Sequence, residues 1–172
     1  MAETVDQIFL RASAKKLEQL WSRIRDCLAK LSTDEIWARG HENENAIGNL
    51  VLHLNGNLRQ WIISGVGGAP DTRTRDAEFA ARGGIEIAEL RARLESTVRE
   101  AIAAIGKVTP ERIVERVTIQ KYDVTVMEAI FHVVEHFAQH TGQIIFVTKM
   151  LTGEDLGFYK HLTAAVHAEK TP

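Results

Sequence analysis

Proline is scarce in this chain, and its placement limits the fold more than any other feature. Among 172 residues it occurs only at Pro70, Pro110 and Pro172. Proline removes a backbone N–H and clashes with the preceding helical turn, so residues 1–69 and 111–171 are free of the strongest helix breaker. A few long helices are the expected result. The first spans about Thr4 to Leu31, with Ile8, Phe9, Leu17, Leu20, Trp21, Ile24 and Leu28 near the 3.6-residue period. Ser32-Thr33-Asp34-Glu35 then has the form of a capping box opening a short turn that ends at Gly40.

A second helix is expected from about Glu44 to Ser64, stopped by the cluster Gly65-Val66-Gly67-Gly68-Ala69-Pro70. Residues 71–84 are polar and read as a long connection with one helical turn. A third helix, about Ile85 to Ile105, lines up Ile87, Leu90, Leu94, Val98, Ala101 and Ile105 and stops at Gly106. Within 107–124, the β-branched run from Ile113 to Ile119 reads as a short strand or an extended crossover. Thr125-Val126-Met127-Glu128 is another capping box, and the fourth helix should run to about Leu151, before Gly153. These elements predict an all-α four-helix bundle with a long crossover connection, filling residues 1–152, and a loosely held C-terminal tail over 153–172.

Composition closes off several classes. The 21 Lys and Arg against 23 Asp and Glu leave a formal charge of -2, so no nucleic-acid partner is expected. The single cysteine, Cys27, cannot form an internal disulfide, which suits a cytoplasmic location. The N-terminus MAETVDQIFLRASAKK carries acids and no long apolar run, unlike a signal peptide. No stretch approaches the ~18 apolar residues of a membrane span, so no membrane partner is expected either.

The chemistry is concentrated on the fourth helix. Its apolar seam reads Val126, Ile130, Val133, Phe137, His140, Ile144, Val147, Leu151, in steps of four and three. His140 thus stands where the pattern asks for an aliphatic residue, and His136 lies one turn earlier on the same face. Two histidines at i and i+4 are a standard way to hold a divalent metal. Buried imidazoles need partners for their nitrogens, and a metal satisfies two at once. His132 extends the series. At 100° per residue, His132, His136 and His140 point about 100°, 60° and 20° from Val133, all to one side. His132 and His140 are roughly 12 Å apart along the axis, too far to share an ion, so the pair is 136 and 140.

Further ligands must come from other elements. His41, His53, His161, His167 and acidic residues are all candidates, and only His53 sits mid-helix, at the edge of an apolar stripe. Gly56 would let a neighbour approach closely. Glu135 points about 160° from Val133, away from the seam, so no general base is identified. Trp21, Trp37 and Trp61 read as core anchors. Arg73, Arg75, Asp76, Glu78 and Arg82 read as a solvated loop from which an arginine could orient an anionic substrate. Cys27 reads as a small buried apolar residue.

The segments NLVLHLNGNLRQW in the second helix and HVVEHFAQHTGQI in the fourth resemble the DinB/YfiT-like superfamily of bacterial metal-binding four-helix bundles, in one of its domain-of-unknown-function branches. The resemblance extends from the first helix through Lys149. It implies a divalent metal held by His53, His136 and His140 in a pocket open at one end of the bundle. It departs at Thr141, where better-known members often have arginine, so no role for a cation there is carried over. Beside the ligands, His132 stands near the pair, and Gln143 is placed to fix a histidine tautomer, near His136.

Three neutral histidines leave coordination positions open, as catalytic sites do. All-nitrogen ligation suits Zn²⁺ or Ni²⁺ first, then Fe²⁺ or Mn²⁺. The resemblance further implies a metal-dependent thiol S-transferase or isomerase acting on a low-molecular-weight thiol and a small electrophile. The alternative is a non-catalytic metal-binding stress or interaction protein. Bundles of this size pair through exposed helix faces, so a homodimer is expected.

Overall fold

A computed structural model describes residues 2–163, apart from the side chains of His161 and Thr163. The boxes at Ser32 and Thr125 start helices as their spacing demands, and the structure adds a third at Thr4. Thr4 precedes α1 (Val5–Leu28), its N–H donating to Gln7 Oε1 at 3.0 Å. Ser32 opens the short α2 (Thr33–Trp37), its N–H donating to Glu35 Oε2 at 2.7 Å while Glu35 N–H returns to Ser32 Oγ. Ile47–Leu58 form α3, which continues without a break as a π-helical segment, Arg59–Val66. The wider π turn lets Trp61, Ile62 and Ile63 all be buried in succession. After α4 (Arg75–Ala80) come α5 (Ile87–Ile105) and the single-turn α6 (Pro110–Ile113). An antiparallel hairpin of β1 (Arg116–Ile119) and β2 (Tyr122–Thr125) leads into α7 (Val126–Thr152).

The long helices form the expected four-helix bundle. Among the long helices, α1 packs chiefly on α7 and α5, and α3 on α5 and α7. α1 and α3 therefore stand on one diagonal of the bundle, α5 and α7 on the other, and the connections 29–46 and 106–125 each cross it. The core runs through Leu17, Ile24, Leu54, Leu94, Ile130 and Phe137. Trp21, Trp61 and Cys27 join it, and burial raises the Cys27 thiol pKa. No described helix is long and apolar enough to cross a membrane.

Three expectations need correction. The seam of α7 drifts: after Phe137 the buried positions are Thr141, Ile144 and Thr148, while His140 and Val147 are half-buried and Leu151 is exposed. A straight 3.6-residue helix slips against a 3.5-residue repeat, which carries the contact line from 140 to 141 and from 147 to 148. Thr141 Oγ1 donates to the Phe137 carbonyl at 2.7 Å, which satisfies its hydroxyl inside the core. The 107–124 stretch holds a turn of helix and a complete hairpin, with Ile119 seated on Gly65, where a Cβ would come within 2.3 Å of Ile119 Cδ1. Finally, residues 153–163 are not loose: Leu156 and Phe158 pack on the core, and Lys30 pairs with Glu154. The rest of the expected tail, 164–172, lies outside the described residues.

Candidate metal centre

Two helices each present residues at four-residue spacing to one place. On α3 these are Asn49, His53, Asn57 and Trp61; on α7 they are His132, His136 and His140. The imidazoles of His53, His136 and His140 meet between them, each able to offer a nitrogen within 4.8 Å of the others. His53 Nε2 lies 3.1 Å from His136 Nε2, which lies 3.1 Å from His140 Nε2. Sequence periodicity put His53 at the margin of its helix, but it is buried, at 5% exposure.

The far side of each outer ring is pinned. His53 Nδ1 lies 2.9 Å from Glu78 Oε2 and 3.1 Å from Arg73 Nη2, and because the carboxylate can only accept, it draws the ring proton to Nδ1; His140 Nδ1–H donates to Gln143 Oε1 at 2.6 Å. Gln143 thus meets His140 rather than His136, the ring its sequence position points to. A neutral imidazole with its proton on Nδ1 carries a bare lone pair on Nε2. Two such lone pairs face His136 Nε2, which can donate to only one of them at a time. A shared cation accepts all three. For nitrogens about 2.0–2.1 Å from one ion and bond angles between roughly 90° and 109°, the nitrogen–nitrogen separation is roughly 2.8–3.4 Å, which brackets the two 3.1 Å spacings about His136. The donor set fits a divalent metal.

Electrostatics work in the same direction. Burial, with the neighbouring His140 and His53 rings, pushes the His136 pKa down to about 3. Burial also lowers His140, against the hydrogen bond to Gln143, and lowers His132. These rings stay unprotonated at neutral pH, as ligands must. His132 stacks on Trp61 with ring centroids 4.2 Å apart and stands outside the three-nitrogen cluster.

Glu78 is the residue that sequence reading missed. Its neighbourhood of charged residues predicts a solvated loop, yet the side chains of Glu78 and Arg73 are only 10% and 2% exposed. Arg73 grips the carboxylate with two bonds, Nε to Oε1 at 2.7 Å and Nη2 to Oε2 at 2.8 Å, and its Nη1 reaches Gln60 Oε1 at 3.0 Å. Burial raises the Glu78 pKa, but the bonds from Arg73 and His53 outweigh it and hold the carboxyl below its ordinary range. Asn49 fastens α4 in place, donating from Nδ2 to the carbonyls of Glu78 and Ala81 at 2.8 and 3.0 Å. The close neighbour that Gly56 admits is this carboxylate, since a Cβ there would lie 1.9 Å from Glu78 Oε1. Arg75, Asp76 and Arg82 are exposed as expected, as are His41 and Glu135, while the side chains of His161 and His167 lie outside the described residues.

Residues 4–165 match a family described as "Protein of unknown function (DUF1572)". The chain belongs to that family. No curated protein matches this DUF1572 chain in sequence. Among solved structures it is similar to a conserved protein from Enterococcus faecalis, at TM-score 0.69 and 16% identity, covering 89% of this chain and 100% of that one. A DinB-like protein from Bacillus subtilis, YjoA, aligns at TM-score 0.65 and 14% identity, covering 86% and 96%. A DinB-like protein from Bacillus cereus aligns at 0.68 and 13%, covering 91% and 97%. At these identities the likeness is one of fold: this DUF1572 chain shares the helical-bundle fold of the DinB-like proteins.

Proposed function

We propose that this protein binds a divalent metal through His53, His136 and His140 and uses it to activate a low-molecular-weight thiol toward a small electrophile. The observation that carries the reading is the convergence of three Nε2 atoms whose outer rings are oriented from behind by Glu78 and Gln143. Such outer partners set the tautomer and raise ligand basicity in metal sites. All-nitrogen donors favour Zn²⁺ or Ni²⁺, with Fe²⁺ and Mn²⁺ in range. When bound, such an ion lowers the pKa of a coordinated thiol or water and so supplies a nucleophile at neutral pH.

The chain's own residues supply position and shelter. Arg73 and Asn49 immobilise Glu78 and thereby His53; the packed Trp61 and His132 rings wall the site on one side. A cavity of about 410 Å³ lies against His53 and His136, room for a small reactant. Two acids nearby are unsuited to proton transfer: Glu135 is exposed, and Glu128 is tied into the α7 cap by the Thr125 N–H and hydroxyl. The same reading pairs two copies through the outer face of α7, where Phe131, Phe146 and Met150 are exposed. Sedimentation equilibrium checks it, with Phe131→Ser and Phe146→Ser expected to give monomer.

The test of activity is metal-loaded protein assayed with a panel of thiols and electrophiles. Conjugation that disappears on chelation and in His136→Ala is the expected result. Silence across the panel with tight metal binding retained would overturn the enzymatic part and leave a non-catalytic metal-binding protein.

A further inference from the structure

The cavity beside the three histidines has a wall that the metal does not explain. Asn57 lies one turn beyond His53 on α3, lines this cavity and is only 4% exposed. Its side-chain amide has no hydrogen-bond partner among the described residues. The amide atoms are not sealed off from the cavity, so their hydrogen bonds are open to a partner from outside the chain.

A second group points to what that ligand carries. Arg75, the first residue of α4, lines the same cavity and has no carboxylate partner among the described residues. Its guanidinium stands 4.8 Å over the Phe79 ring, and Phe79 also contacts His53, at a centroid distance of 4.7 Å. Phe79 thus keeps the cation near the histidines, whereas Arg73 next to it is already neutralised by Glu78. Arg75 offers five N–H donors and Asn57 two, against one amide acceptor. The rest of the wall includes Gln120, the rings of Trp61 and Tyr122, 6.3 Å apart, and the carboxylate of Glu128, whose charge is engaged by the Thr125 N–H and hydroxyl. A donor-rich, cationic edge against flat apolar surface matches a carboxylate attached to a planar or apolar body.

We infer that the cavity is a binding site for a small carboxylate, with Arg75 taking the anion and Asn57 completing its hydrogen bonds, beside the metal centre. The inference builds on the proposed function and names a substrate class for it, and its test separates the two. Benzoate and its neutral counterpart benzamide are titrated calorimetrically into metal-loaded wild type, Arg75→Gln and Asn57→Asp, with metal content measured on each sample. Benzoate should saturate one site per chain, bind roughly tenfold or more tighter than benzamide, and weaken roughly tenfold or more in each variant. The Trp61 indole N–H resonance should shift on titration in wild type.

Benzoate held by the metal alone would bind Arg75→Gln as tightly as wild type, and that result overturns the inference. So does equal affinity for benzamide. Arg75 is exposed, so its variant decides the matter even if Asn57→Asp does not fold. Wild type that retains no metal yet binds benzoate through Arg75 keeps this site and removes the metal reading. Full metal content with Arg75-independent binding does the reverse.

Discussion

The carboxylate of Glu78 lies 2.9 Å from Nδ1 of His53, on the side of the ring away from the other two histidines. Two elements of opposite character meet in this contact: α3, almost wholly buried, and α4, a six-residue helix in a polar connection. The connection looks like a surface loop from its sequence and behaves as part of the site. Its carboxylate sets which nitrogen of His53 is free to bind.

Glu78→Gln keeps an acceptor for His53 but strands the buried Arg73 cation. Breaking one half of a buried pair typically costs about 3–5 kcal/mol, and losing an outer-shell carboxylate costs about 10–100-fold in metal affinity. Urea unfolding should show a loss of that order, and a competitive chelator titration should show weaker metal. Adding Arg73→Leu should recover much of the stability without the affinity. Recovery of both would mean that Glu78 acts only through packing.

Gly56→Ala tests the same contact without touching a charge. The new methyl would overlap Glu78 Oε1 and crowd Arg73 Nε, 2.9 Å away, so the carboxylate must leave His53. Metal affinity should drop about tenfold or more. A helix-favouring alanine that left metal binding intact would show that α4 can retreat while still serving His53.

Protons should compete with the fold. The folded-state pKa of His136, about 3, lies below its ordinary 6.5. Between these values the unfolded chain binds a proton that the folded chain refuses, so metal-free stability rises with pH and is lost as pH falls from 6.5 toward 3. His132 and His140 are shifted in the same direction. Glu78 adds a loss of the same sign only below its ordinary 4.5, so the interval from 6.5 to 4.5 reports the imidazoles. The urea midpoint of metal-free protein should fall across that interval, and less steeply in His136→Gln. An equal slope in both would contradict the placement of His136.

The bundle was legible because its signals are local. Proline-free stretches, a 3.6-residue apolar period and the boxes at Ser32 and Thr125 are each contained within a few turns. His136 and His140 were legible for the same reason, being one turn apart on one helix. His53 needed the family resemblance, because its own helix puts it at a margin and only tertiary packing of α4 buries it. Glu78 was hidden by distance: its partners are 25 residues earlier at His53 and five earlier at Arg73, in a stretch whose charges look solvated. The hairpin was hidden by its turn. Gln120 and Lys121 hold φ of 50° and 70°, a conformation normally announced by Asn or Gly. The drift at Thr141 and Thr148 shows that a strict heptad is a poor ruler over a 27-residue helix.

The central claim is that one divalent ion sits among His53, His136 and His140. Elemental analysis of purified wild type beside His53→Ala, His136→Ala, His140→Ala and His132→Ala tests it most directly. The account predicts close to one metal per chain in wild type and in His132→Ala, and a sharp loss in each of the other three. Equal metal content in wild type and all three ligand variants would contradict it.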